Sequence, residues 1–217
     1  ARKLAHEIKN PLTPIQLSID RLQEKFYKKI GEGKNEFKNY LSTINRQIKD
    51  IENLVNEFSS FARMPSPIFK KIMIDTVVRR AVDFFNMSSK NKIYLISQKK
   101  ESLIYADEEQ LYRVFINLIK NSEDSINEKK EKNKLFKGKI NIEIHNNKDY
   151  INVSLVDNGA GIKDITKIMT PYFTTKKDGT GLGLPIVSKI INEHKGELII
   201  SNNTPGVRVV IKFPKIK

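Results

Sequence analysis

The sequence predicts a long α-helical hairpin followed by an α/β sandwich with a mixed sheet, in a chain of 217 residues. Three observations predict it. Apolar residues up to Met64 keep the alternating three-and-four spacing of a heptad seam. Beyond a proline-rich exit at Pro65 and Pro67, the pattern changes to short alternating runs separated by tight turns. Near the end, glycines gather where a loop gives way to a helix.

The first helix is marked by Leu4, Ile8, Leu12, Ile15, Ile19, Leu22 and Phe26. The second is marked by Phe37, Leu41, Ile44, Ile48, Ile51, Val55, Phe58 and Ala62. Gly31 and Gly33 break the chain between them, and Asn35 is expected to cap the second helix. One hairpin has little to bury a long seam against, so two copies are expected to pair as a four-helix bundle, a homodimer. Residues 1–64 form this domain, and 65–70 form a linker stiffened by proline.

From Lys71 to the end a second domain follows. A strand near Ile72–Ile74 leads into a helix over Asp75–Met87, then a strand over Ile93–Ser97. Asp107, Glu108 and Glu109 open another helix, with acidic residues where the helix dipole favours them, running to about Asn127. Lys139–His145 and Tyr150–Val156 alternate as a hairpin. Leu184–His194 is helical, and Glu197–Ser201 with Val207–Phe213 closes the sheet. Hairpin-paired strands with interspersed helices indicate a sheet covered by helices on one face.

Composition narrows the function classes. No run of about 18 apolar residues is present, and no signal peptide opens the chain, which starts in mid-pattern as if cut from something longer. Zero cysteines remove disulfides and thiol chemistry and fit a reducing compartment. The formal charge of +14 comes from Lys spread throughout, alongside abundant Asn and Ile, so it reads as compositional bias and no nucleic-acid partner is expected. The Lys-rich stretch 129–137 reads as a solvated surface insertion, and His145 and His194 as structural or surface residues.

The chemistry concentrates first at Ala5-His6-Glu7-Ile8-Lys9-Asn10-Pro11-Leu12-Thr13-Pro14. His6 lies two positions from both Leu4 and Ile8, about 200° round the helix from each, so it points away from the seam. Glu7 can accept from one imidazole nitrogen and leave the other as a nucleophile. Asn10, one turn on, can position a water for the reverse reaction. Pro11 and Pro14 each crowd the preceding turn and are expected to bend the helix.

Four further stretches have the composition of a phosphate and adenine site. Asn117 and Asn121 stand at i and i+4 on one helix face, where amide oxygens can ligate Mg²⁺. Asp157-Asn158-Gly159-Ala160-Gly161 ends a strand with a carboxylate acceptor and two glycines that admit a close ligand. Pro171-Tyr172-Phe173-Thr174-Thr175-Lys176-Lys177 puts aromatic and basic residues in a long loop. Gly179-Thr180-Gly181-Leu182-Gly183 leads into a helix N-terminus, suited to phosphate oxygens.

The first stretch resembles the phospho-acceptor box of sensor histidine kinases with an H-E-x-x-N signature, and its K-N-P-L-T-P-I-Q continuation is most similar to the nitrogen-regulation NtrY-like kinases. The other four, in this order, resemble the N, G1, F and G2 boxes of the ATP-binding fold shared by histidine kinases, DNA gyrase, Hsp90 and MutL. The resemblance implies that His6 is autophosphorylated from ATP, that Glu7 assists as base and that Asn10 supports phosphatase activity. It implies Asp157 on the adenine amine and Asn121, with Asn117, on Mg²⁺. It also implies a lid shaped by Gly179, Gly181 and Gly183, with Lys176 or Lys177 reaching phosphate. The implied partner is the receiver domain of a response regulator, and the implied location is the cytoplasmic side of a protein anchored in the bacterial inner membrane by an upstream region. In ATP-hydrolysing members of that fold a glutamate stands where this chain has Asn117. An amide cannot act as that base, which favours transfer to His6 over hydrolysis.

Overall fold

The computed structural model describes residues 2–62, 64–87, 89, 91–97, 102–176 and 179–216, with side chains for all of these except 2–7, 9, 57 and 60–62. The chain forms two compact units: Ala1–Pro65 with Thr174–Leu182, and Ser66–Phe173 with Gly183–Lys217.

In the first unit, α1 (Arg2–Phe26) and α2 (Lys34–Ala62) form the expected hairpin, α1 running unbroken through Pro11 and Pro14. Gly33 takes φ 91°, and its carbonyl accepts the Phe37 N–H at 2.9 Å. The helix therefore starts at Lys34, and Asn35 lies inside the first turn instead of capping it. A glycine free to adopt a left-handed φ turns the chain sharply enough to supply the first acceptor itself. Leu12, Ile19, Leu41 and Ile48 make a buried cluster with Phe37 against it. Gln16 Nε2 donates across the hairpin to Asn45 Oδ1 at 3.1 Å. The other half of each seam is not covered: Ile8, Ile15 and Leu22 on α1, and Ile44 and Ile51 on α2, keep 37–45% exposure.

The second unit contains β1 (Lys70–Met73), α3 (Ile74–Asn86), β2 (Lys92–Ser97), β3 (Leu103–Ala106), α4 (Glu108–Lys132), β4 (Lys139–Asn146), β5 (Tyr150–Asp157), α5 (Gly183–Glu193), β6 (Glu197–Asn202) and β7 (Val207–Pro214). Five strands form one mixed sheet in the order β2-β4-β5-β7-β6, with β2–β4 parallel and the other pairs antiparallel. Alternation aims Ile140, Ile142 and Ile144 of β4, Ile151, Val153 and Leu155 of β5, and Val209, Ile211 and Phe213 of β7 into the core. The buried stripes of α3, α4 and α5, including Val78, Phe115, Ile119, Val187 and Ile190, complete it. Each fully buried aliphatic or Phe side chain is worth roughly 1.5–3 kcal/mol.

Three expectations change. β3, not foreseen, pairs antiparallel with β1, Ile72 opposite Ile104, as a separate two-stranded ribbon. Ile74 belongs to α3, its N–H donating to Ser102 O at 3.0 Å. α4 continues past Asn127 to Lys132, so Lys129 and Lys130 are half-buried helical residues, not part of a solvated loop. Basic side chains suit a helix C-terminus, and Lys132 pairs with Glu128 at 3.0 Å one turn back.

Candidate nucleotide-binding site

The site is built outward from α4, whose first turn is fixed on several sides. Asp107, its N-cap, accepts from Gln110 N at 3.0 Å through Oδ1 and from Ile68 N at 2.8 Å through Oδ2. The Asp107 N–H donates to His194 Nε2 at 2.9 Å, and the buried His194 ring donates from Nδ1 to Ile190 O at 2.8 Å. The expectation that His194 is structural holds through these two bonds.

With its start held, α4 presents Asn117 and Asn121 one turn apart, both partly exposed. Asn117 Nδ2 donates back to Arg113 O at 2.9 Å, which turns Oδ1 outward. A Cβ on Gly183, the first residue of α5, would lie 3.3 Å from that oxygen. Glycine thus keeps the space between the amide and the start of α5 open.

Asp157 ends β5 with only 3% exposure. Its Oδ1 accepts from Gly159 N at 2.8 Å and Val207 N at 3.3 Å, and its Oδ2 accepts from Ser122 Oγ at 3.0 Å. Burial raises its pKa above the ordinary carboxylate value, opposed by these three donors and by the charge of Lys129. Gly206, at φ 99°, passes so close beneath Asp157 that any Cβ there would strike the Asp157 backbone. Gly159 packs on Ser125 just as tightly, and Ala160 N donates to Ser125 Oγ at 3.0 Å. Gly161 takes φ 80°. Ile162 is held on both sides by Asn202, whose Oδ1 accepts its N–H and whose Nδ2 donates to its carbonyl, each at 2.8 Å.

A cavity of about 410 Å³ lies against these loops, bounded by residues 159–163, residues 202–206, Lys129 and Lys132; Asp157, Asn117 and Asn121 are not on its wall, so it is distinct from the face assigned to the base. A larger hollow of about 510 Å³, beside Tyr150, Asn152 and Lys195, lies at the far end of β5 and holds none of the sequence-predicted site residues.

The second unit thus carries Asn117, Asn121, Asp157, Gly159, Gly161, Phe173 and Gly183. Asn10, Thr174, Lys176, Gly179, Thr180, Gly181 and Leu182 fall in the first. Within the 174–182 segment, Thr174 Oγ1 accepts from Lys176 N at 3.1 Å and Thr180 Oγ1 from Leu182 N at 3.4 Å, and Gly181 takes φ 70°. The side chains of His6 and Glu7, and Lys177 entirely, lie outside the described residues. Sequence reasoning missed Ser122, Ser125, Asn202, Gly206 and Val207. Ser125 stood one turn beyond Asn121 and could have been read as the next member of that face. The contacts of Gly206 and Val207 with Asp157 cross about 50 residues of chain and left no local sign.

Comparison with known proteins matches this architecture in two parts. A family model for histidine kinase-, DNA gyrase B- and HSP90-like ATPases fits residues 106–217, and one for the His kinase A phospho-acceptor domain fits residues 1–67. A chain carrying both, in this order, belongs to the histidine kinases of that ATPase family. Among its relatives, an NtrY-like sensor histidine kinase from Rickettsia felis is 41% identical over 98% of this chain and 35% of its own length. The nitrogen regulation protein NtrY of Azorhizobium caulinodans is 33% identical over 98% of this chain and 28% of its own. The catalytic domain of the histidine kinase ThkA, in a nucleotide-free form, superposes with a TM-score of 0.59 at 28% identity, covering 68% of this chain and 96% of that one. The chain spans about a third of the length of the curated relatives it matches.

Proposed function

We propose that this chain is the phosphotransfer core of a two-component sensor kinase, which phosphorylates its own His6 from ATP and passes the phosphoryl group to an aspartate on a response regulator. Residues 1–64 act as the dimerisation and phosphotransfer hairpin, 65–70 as the linker and 71–217 as the ATP-binding domain. The observation that carries the reading is Asp157, a carboxylate buried at a strand end and held by three neutral donors. Such a group is suited to receive a hydrogen bond from the adenine amine.

Asn121 and Asn117 supply amide oxygens for Mg²⁺, and the outward Oδ1 of Asn117, beside a glycine that leaves space, fits a hard cation. Among the described residues no cluster of three His, Asp or Glu forms a protein-only metal cage. Mg²⁺, when bound, would neutralise charge on the transferring group. Gly159 and Gly161 admit the base. Phe173, Thr174, Thr180 and Leu182, with Gly179, Gly181 and Gly183, form the lid, and Lys176 or Lys177 meets the phosphates. His6 attacks the γ-phosphorus in line as its bond to the departing ADP breaks, while Glu7 orients or takes the other ring proton, and Asn10 serves the reverse, hydrolytic reaction.

The exposed half of the hairpin seam supports a homodimer, since apolar residues at heptad spacing on two adjacent helices call for a second pair. The relatives are about three times as long as this chain, and we propose that the full protein likewise carries a further, upstream region that anchors it in a membrane. Labelling with γ-phosphate-labelled ATP and Mg²⁺ tests the whole reading. Acid-labile, alkali-stable label on the native chain that disappears in His6→Gln is expected. Label that persists in His6→Gln would refute the acceptor, and ATP turnover independent of His6 would make the protein a hydrolase.

A further inference from the structure

The loop that carries Asp157 is held to α4 at three points, none of them foreseen from the sequence. Ser122 reaches the carboxylate and Ser125 reaches Ala160 N. One turn further along the same ridge, Lys129 Nζ donates to Asn158 O at 3.0 Å and to Gly159 O at 3.3 Å. Two successive backbone carbonyls converging on one point need a donor with more than one hydrogen, and a lysine ammonium has three. The Phe136 ring covers the same ammonium, its centroid 4.5 Å from Nζ. Asn158 is pinned from its other side as well: its Oδ1 accepts from Lys139 N at 2.8 Å and its Nδ2 donates to Lys137 O at 3.0 Å.

We infer that Lys129 is a positioning residue for nucleotide recognition, its ammonium clamping the Asn158 and Gly159 carbonyls so that Asp157 and the two glycines are set at the geometry the adenine base requires. This rests on the reading of the Asp157 loop as the adenine site. Lys129 does not touch the nucleotide in this assignment; it acts through the loop. Gly159 is squeezed against Ser125 with no room for a Cβ, so the loop has no side chain of its own there with which to hold its path. Asp157 and Asn158 hold the N–H and side-chain edges of the loop, and the two carbonyls are held from α4. A positive charge at this point also favours the ionised form of Asp157, which is the form that accepts from the adenine amine.

The test compares the native chain with Lys129→Met and Lys129→Arg in two measurements. Hydrogen exchange of the ligand-free protein should show amides 158–161 exchanging at least about tenfold faster in Lys129→Met, with amides in the first four turns of α4 unaltered. Calorimetry should show ATP affinity falling about tenfold in Lys129→Met, the loss expected when one charge-assisted anchor is removed. Binding of inorganic tripolyphosphate, which lacks the base, should keep its native value, and Lys129→Arg should restore most of the ATP affinity. Unchanged loop exchange in Lys129→Met would overturn the clamp. Equal loss for ATP and tripolyphosphate, with a lowered Tm, would reduce Lys129 to a fold-stabilising residue and overturn its role in base recognition. Were the native chain to bind no ATP, the assigned site itself would fall. Faster loop exchange in that case would leave a structural clamp and overturn the recognition role.

Discussion

Replacing Asp157 by Asn separates what this carboxylate does for the fold from what it does for the ligand. The side chain keeps its shape. Its Oδ1 continues to accept from Gly159 N and Val207 N, and the new Nδ2 donates to Ser122 Oγ once that hydroxyl turns round. The fold should therefore survive. The adenine amine is a donor, however, and would now face an NH₂ group where it had faced a carboxylate oxygen. A hydrogen bond to a charged partner is worth about 1.5–3 kcal/mol, which predicts a loss of ATP affinity of about 10- to 150-fold by calorimetry.

Because burial raises the Asp157 pKa, its proton is lost at higher pH in the folded chain than in the unfolded chain. Between the ordinary value of 3.8 and the raised one, the folded state binds more proton, so stability falls as pH rises through that window. Asp157→Asn removes this dependence. Its stability relative to the native chain should be greatest above the window and should shrink as pH falls through it. Native ATP affinity should weaken as pH drops toward the raised value, while the variant's residual affinity stays flat. An ATP affinity within about twofold of native in a folded Asp157→Asn protein would refute the assignment of this group to the base.

Two further outcomes follow from the same geometry. Gly206→Ala adds a Cβ against the Asp157 backbone at a left-handed φ, and should cost about 2–4 kcal/mol in a denaturant melt and weaken ATP binding with it; an unchanged midpoint would mean the two loops are not held this close. Ile15→Glu combined with Ile51→Glu puts charge on the exposed half of the hairpin seam, and should convert a dimer into a folded monomer by light scattering; a persistent dimer would place the interface elsewhere.

The hairpin was legible because heptad spacing survives any tertiary context, and the sheet because β4, β5 and β7 alternate cleanly. β3 was not legible. It has four residues, follows a polar run, and gains its identity from pairing with β1 more than 30 residues earlier. Lys129–Lys132 misled for a different reason, since a run of lysines gives no local sign of a carbonyl pair waiting on another loop. Within the site, the amide face of α4 and the Asp157 loop could be read directly because each is a short contiguous pattern. The donors around Asp157 could not, since Val207 N is a backbone group and Ser122 looks like any helix serine. Short contiguous motifs name the carboxylate and amides that meet a ligand, and say little about the neutral groups and the distant glycine that hold them.

The two bonds of His194 have a consequence for descent. The ring joins the last turn of α5 to the N-cap of α4, accepting from Asp107 N while donating to Ile190 O. Asp107 N–H sits at a helix start where it has no partner within α4. A lineage that lost the imidazole would have to find that N–H another acceptor, or shift where α4 begins and with it the rotation of Asn117 and Asn121. Because that N–H belongs to the backbone, position 194 is expected to keep an acceptor whatever side chain short of proline stands at 107.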